Sequence, residues 1–221
     1  MSEKTATIIG VTGLIGGYLY ELLKEDKCFE TIRLIVRRPL PKDDPRAEIK
    51  LVDFNDPESL MLAIDGSNVV FCTVGTTNKK VKGDKEAYRK VDYDIPVKAA
   101  RFCKMTGCET FVLVSAVGAD SKSNNFYLKL KGEVEETVRE AGLHSVHVMR
   151  PSMLMGERKE TRSGEKFGIT VMKALSPFFG GGLRRYRPVA AKDVARAMIN
   201  AAKENRPGFF VYEYDEIKAH S

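Results

Sequence analysis

The sequence predicts an α/β fold, a doubly wound and mostly parallel sheet with helices on both faces. Two observations carry this. Apolar runs rich in β-branched residues alternate along the chain with segments of helical spacing, the order that builds parallel sheets. The runs are continuous rather than alternating, as in strands covered on both faces.

Strands are predicted at 5–9, 32–36, 48–52, 68–73, 110–114, 145–149 and 209–212, and helices at 14–25, 57–64, 85–105, 127–141, 165–176 and 192–203. In the long helix, Tyr88, Val91, Ile95, Ala99 and Phe102 recur at spacings of three and four and line one face. Pro96 should bend it. Asp56-Pro57 supplies a capping side chain and a proline for the first helical position. Asp193 puts an acid where the dipole of the last predicted helix favours one.

Of the 221 residues, 43% are hydrophobic and 30% charged, which fits one domain spanning 1–221. Residues 152–188 are irregular and rich in glycine and basic side chains, and are expected to supply substrate-side loops, with Phe178-Phe179 and Tyr186 as an apolar lid. No run reaches the roughly 20 apolar residues of a membrane helix. The N-terminus already reads as a strand rather than a leader, so the expected compartment is the cytoplasm. The four cysteines and three histidines form no metal-ligand or redox spacing, so neither a metal nor a disulfide is expected. Cys72 reads as a small core residue. The net charge of +6 is a mild excess. Its clusters at 37–38, 79–82 and 184–187 read by default as solvated loops, and nucleic acid is not an expected partner.

Gly10-Val11-Thr12-Gly13-Leu14-Ile15-Gly16 places G-x-x-G-x-x-G between the first strand and the first helix. Glycine permits the sharp turn and close approach of the backbone to a pyrophosphate, and the helix start binds the anion. Gly10 and Gly13, with the Thr12 hydroxyl, are therefore candidate dinucleotide contacts. NAD-preferring sites place an acid at the end of the second strand. Here that strand ends in Arg37-Arg38, and guanidinium suits a 2′-phosphate. The expected cofactor is NADP (NADPH), with NAD less favoured. Asp53-Phe54, after the third strand, is either an adenine contact or a loop acid beside a packed aromatic. Gly75-Thr76, after the fourth, is either a cofactor passage or a turn.

Tyr127 and Lys131 form Y-x-x-x-K on one helix face, and Ser115 ends the fifth strand. An ammonium close to a phenol favours the phenolate. Tyr127 is thus the candidate proton donor and acceptor for hydride transfer to a carbonyl. Lys131 is expected to promote it and reach the nicotinamide ribose, and Ser115 to orient the carbonyl.

These residues resemble the short-chain dehydrogenase/reductase superfamily in its extended or atypical branch. Within it the chain is most similar to the Tat-interacting-protein-like oxidoreductases. The stretches that carry the resemblance are Val114-Ser115-Ala116-Val117-Gly118-Ala119-Asp120, Tyr127-Leu128-Lys129-Leu130-Lys131-Gly132-Glu133-Val134-Glu135 and Met149-Arg150-Pro151-Ser152. Gly75-Thr76-Thr77 and the 156–162 segment also fit. The resemblance implies an NAD(P)-binding Rossmann fold, catalytic roles for Ser115, Tyr127 and Lys131, and cofactor contacts from Gly10, Thr12, Gly13, Leu14, Ile15, Arg37 and the Arg150-Pro151 turn. Ala116 departs from the pattern, since a second hydroxyl residue often follows the strand-end serine. The chain is also shorter than full extended members, which carry a larger C-terminal substrate domain.

Two functions follow as expectations. The first is an NADP-dependent oxidoreductase acting on a small carbonyl or alcohol. The second is an NADPH-binding regulatory protein with a protein partner and little turnover. Either is compatible with a monomer or a homodimer.

Overall fold

The computed structural model describes residues 4–156 and 181–221. Seven strands form one sheet: β1 (Thr5–Ile9), β2 (Thr31–Val36), β3 (Ala47–Leu51), β4 (Val69–Cys72), β5 (Thr110–Val114), β6 (Ser145–Met149) and β9 (Gly208–Tyr212). Their order is β3-β2-β1-β4-β5-β6-β9, and every neighbouring pair is parallel. The sequence-predicted fold is the observed one, with strand limits shifted by a residue or so.

The continuous apolar runs have a direct cause. Successive strand residues point to opposite faces, and both faces are covered. Ile8, Phe71 and Val112 pack with Leu19, Leu23, Val194 and Met198 on one side. Ile9, Cys72, Phe111 and Leu113 pack with Leu60, Ile64, Ala99, Cys103 and Val138 on the other. Helices α1 (Leu14–Glu25) and α6 (Ala191–Glu204) cover the first face. Helices α2 (Pro57–Ile64), α4 (Ile95–Thr106) and α5 (Phe126–Glu140) cover the second.

Asp56 caps α2 by accepting from the Glu58 N–H at 3.0 Å, with Pro57 in its first turn. The helix predicted over 85–105 divides into α3 (Lys85–Arg89), a π-helical turn (Lys90–Asp94) and α4. Pro96 lacks an N–H and its ring crowds the carbonyl four residues back, that of Asp92. A widened turn just upstream absorbs that conflict, so the anticipated bend is met by a change of helix type.

The sequence signals missed a short parallel pair, β7 (Leu154–Met155) with β8 (Val189–Ala190), a 3-10 turn at Gly181–Tyr186, and α7 (Tyr214–Ala219) with its Glu213–Glu216 capping box. Each is too short to show a period. The predicted helix at 165–176 and Phe178-Phe179 lie outside the described residues. Among the described residues, no helix is long and apolar enough to cross a membrane.

The strand order reverses between β1 and β4. Ligands of open parallel sheets bind outside the carboxyl ends of the strands at such a point, here between Gly10 and Thr73.

Candidate functional site

The turn after β1 can be built only with glycine. Gly10 has φ +99°, and a Cβ there would stand 2.8 Å from Thr73 Oγ1 and 2.9 Å from the Thr73 carbonyl carbon. At Gly16 a Cβ would meet the Gly10 oxygen at 2.2 Å, so the first turn of α1 lies directly on the loop. The Gly13 N–H donates to the Gly10 carbonyl at 2.9 Å. Gly13 is the N-cap of α1, with no side-chain cap and no acid in the first turn. The amides and positive dipole end of α1 are therefore left to an external anion. Thr12 is exposed, Leu14 half-buried and Ile15 buried against the core.

The other predicted cofactor residues extend along the same edge of the sheet. Arg37 and Arg38 are exposed just beyond β2. Beyond β3, exposed Asp53 accepts from the Asn55 backbone and side-chain nitrogens at 2.9 Å each, while half-buried Phe54 packs on the core. Beyond β4 come exposed Gly75 and half-buried Thr76. The order β3-β2-β1-β4 sets all four groups in one row.

At the far side of the crevice, Asn125 caps α5 by accepting from the Tyr127 and Leu128 amides at 3.0 and 3.1 Å. This fixes the turn that carries Tyr127. A Cβ on Gly132 would stand 2.1 Å from the Ser121 nitrogen, so α5 lies flush against the 120–121 loop. That close approach explains the glycine of the Lys-Gly-Glu segment. Tyr127, Lys131 and Glu135 share one face at four-residue spacing. Tyr127 is 38% exposed, whereas Lys131 and Glu135 are each only 4% exposed.

Lys131 Nζ lies 5.9 Å from the centre of the Tyr127 ring and 3.0 Å from Asp92 Oδ1. Asp92 Oδ2 accepts from the Thr76 N–H at 2.7 Å. Burial by itself pushes the Lys131 amine down, but the Asp92 carboxylate, with Tyr127 adding to it, more than reverses this and holds the amine above its ordinary value. Lys131 is thus an ammonium. The Tyr88 ring meets those of Tyr127 and Phe126 edge-on, at 6.4 and 5.8 Å, and the Tyr88 hydroxyl donates to the Thr76 carbonyl at 3.3 Å.

Ser115 stands elsewhere. Its buried hydroxyl donates to the Glu135 carboxylate. Glu135 also accepts from Arg150 Nε, at 3.0 and 3.1 Å to its two oxygens. Glu135 lies two helical turns beyond Tyr127, about 12 Å along the axis. The structure therefore joins Tyr127 to Lys131 and joins Ser115 to Glu135 and Arg150; it does not join Ser115 to Tyr127. At the next position Ala116 brings no hydroxyl. In the Arg150-Pro151 turn, expected at the cofactor, the Arg150 guanidinium is held by Glu135 and lies 3.9 Å from Glu213. Buried Pro151 accepts the Val117 N–H at 3.0 Å, tying the two strand-end turns together.

Asp92 and Glu135 were missed by the sequence reading. Asp92 falls between Tyr88 and Ile95 at spacings of four and three, and Glu135 four after Lys131. An acid on a core-facing stripe requires a buried partner, and that was the signal available.

A parallel sheet reversing at β1 and β4, a glycine-only turn and an uncapped helix start define a dinucleotide-binding protein of the Rossmann type, and the residues present fit that ligand. Residues 10–205 match the family model described as NAD(P)H-binding, and the chain belongs to that family. It is 33% identical over 203 residues to Protein HTATIP2 of Rattus norvegicus, covering 90% of this chain and 81% of that protein. It is 31% identical over 206 residues to Protein FMP52, mitochondrial, of Debaryomyces hansenii, covering 90% and 88%. The anticipated kinship with the Tat-interacting-protein-like group therefore holds. Among solved structures, the Bordetella bronchiseptica enzyme WbmH in complex with NAD+ superposes with a TM-score of 0.72 at 18% identity, covering 96% of this chain and 75% of that one. A DesIV double mutant from Streptomyces venezuelae, a dTDP-glucose 4,6-dehydratase with NAD bound, gives 0.73 at 14%, covering 95% and 74%. These two likenesses show the shared fold.

Proposed function

We propose that the chain is an NADP-dependent oxidoreductase of small carbonyls or alcohols, with Tyr127 as the group that gives and takes the proton. The observation that carries this reading is the buried Lys131 ammonium beneath the half-open Tyr127 ring. The nicotinamide, when bound, supplies or accepts the hydride. Gly10, Thr12, Gly13, Leu14 and Ile15 receive the pyrophosphate, Arg37 and Arg38 the 2′-phosphate, and Asp53 and Phe54 flank the adenine. Gly75, Thr76 and Pro151 border the nicotinamide half. Tyr127 hands its proton to the carbonyl oxygen as the hydride arrives, and the nearby ammonium steadies the phenolate that forms. Ser115 and Arg150 act through Glu135, by holding the ends of β5 and β6 against α5.

The chain is read as one domain, with 152–188 forming its substrate side. In support, the ends of that segment meet in the β7–β8 pair, and a Cβ on Gly156 would lie 3.0 Å from Leu14 at the start of α1. The proposed compartment remains the cytoplasm, which fractionation would test against the mitochondrial label of the FMP52 relatives.

Tyr127→Phe tests the reaction. Turnover should vanish while NADPH still binds, and an unchanged rate removes Tyr127 from the chemistry. A second reading, an NADPH-binding regulatory protein with little turnover, is favoured by one observation. The Ser115 hydroxyl is bound to Glu135, which leaves Tyr127 without the second hydroxyl expected beside it. Tight NADPH binding with no oxidation across a broad carbonyl screen would favour this reading.

A further inference from the structure

Asp92 has no part in the acid–base reading above, yet the residue is 1% exposed and its carboxylate bridges two elements of the site. It sits in the π turn that Pro96 makes necessary. One oxygen holds Lys131 Nζ at 3.0 Å, and the other accepts the Thr76 N–H at 2.7 Å. The Thr76 carbonyl, in the next peptide along, also accepts from the Tyr88 hydroxyl.

A buried amine with no counter-charge gives up its proton. The groups that act on Lys131 are Asp92 from the π turn, Tyr127 from α5 and Cys72 from β4. Burial pushes the Cys72 thiol up to about 12, so it stays neutral. Among these groups only Asp92 supplies a fixed negative charge.

We propose that Asp92 is a positioning residue of this site: one carboxylate fixes both the ammonium beneath Tyr127 and the peptide that opens the cofactor-side loop. The inference rests on the acid–base reading of Tyr127 and Lys131. A carboxylate at the widened turn meets α5 and the β4 loop together.

Asp92→Asn removes the charge and keeps the size. At about pH 8 its kcat should fall about 100-fold, the scale of a lost acid–base contribution, with substrate KM little changed. Lowering the pH to about 6 returns the proton to Lys131 and should restore much of kcat. Lys131→Met should show the same loss and no recovery. Asp92→Glu, which keeps the charge, should retain more activity than Asp92→Asn. A readout without turnover is the carbon-13 resonance of Lys131 Cε. It should report a charged amine throughout this range in the parent protein and a titrating one in Asp92→Asn. A parent-like kcat in Asp92→Asn, or a Lys131 that stays charged in it, overturns the proposal. If the parent protein turns over no carbonyl at all, the acid–base reading fails by itself, and the Lys131 resonance still decides whether Asp92 holds the ammonium. Should Asp92→Asn not fold, Asp92→Glu is read in its place. A displaced Thr76 amide resonance together with lowered kcat supports the role, and a displaced resonance with parent kcat overturns it.

Discussion

His147 and Tyr212 are joined by a 2.8 Å hydrogen bond between neighbouring strands β6 and β9. The direction of that bond follows from Ser145. Its hydroxyl donates to the Arg206 carbonyl at 2.7 Å and lies 2.9 Å from His147 Nε2. Having one hydrogen, Ser145 must accept from Nε2–H, so Nδ1 accepts from the Tyr212 hydroxyl. The imidazole is neutral, fully bonded and 0% exposed.

Burial pulls His147 down from 6.5 to about 4. The unfolded chain therefore takes up a proton first as the pH falls. The stability due to a neutral His147 is complete above about pH 6.5 and is lost progressively between there and about pH 4. Melting temperatures across this window should fall with pH. In His147→Gln the fall should be shallower, and an equal slope in both proteins would discount His147 as its source.

Gly132→Ala should destabilise the fold by more than about 1–3 kcal/mol, the usual scale of overpacking. The added carbon meets backbone, which has little freedom to yield. Chemical denaturation measures it, and a neutral result would mean that α5 can lift from the 120–121 loop.

Arg37→Glu should weaken NADPH binding about 10–100-fold, the worth of a charge-assisted bond, while NADH affinity changes little. Fluorescence titration with both cofactors decides it. Equal losses for the two would place Arg37 away from the 2′-phosphate.

Ser115→Ala separates a structural serine from a catalytic one. It should cost about 1–2 kcal/mol of stability, because Glu135 loses a donor in a buried network, yet lower turnover far less than Tyr127→Phe. A loss of turnover equal to that of Tyr127→Phe would return Ser115 to the reaction.

The sheet was legible because both of its faces are buried, which writes each strand as an unbroken apolar run. The cradle was legible because Gly10 and Gly16 are demanded by space that no other residue fits. The Tyr127–Lys131 pair follows from helical spacing. The partners of the buried charges were harder to read. Asp92 meets Lys131 from a different helix, and Ser115 meets Glu135 across a strand and a helix, so neither pairing has a fixed spacing along the chain. The strand-end position of Ser115 points to the mouth of the crevice. Strand position sets the height of a residue, but its partner is chosen by the side chain opposite. Arg150 also meets Glu135 across a strand and a helix, a pairing with no fixed spacing along the chain.

The two-residue strands Leu154–Met155 and Val189–Ala190 pair in parallel, and the Ser152 hydroxyl donates to the Arg187 carbonyl. These clasps hold residues 152–155 beside residues 187–190, so the proposed substrate segment leaves and rejoins the fold at one place. A graft cut at Leu154 and Val189 is therefore the natural way to exchange that proposed side, with the row of residues along the sheet edge left untouched.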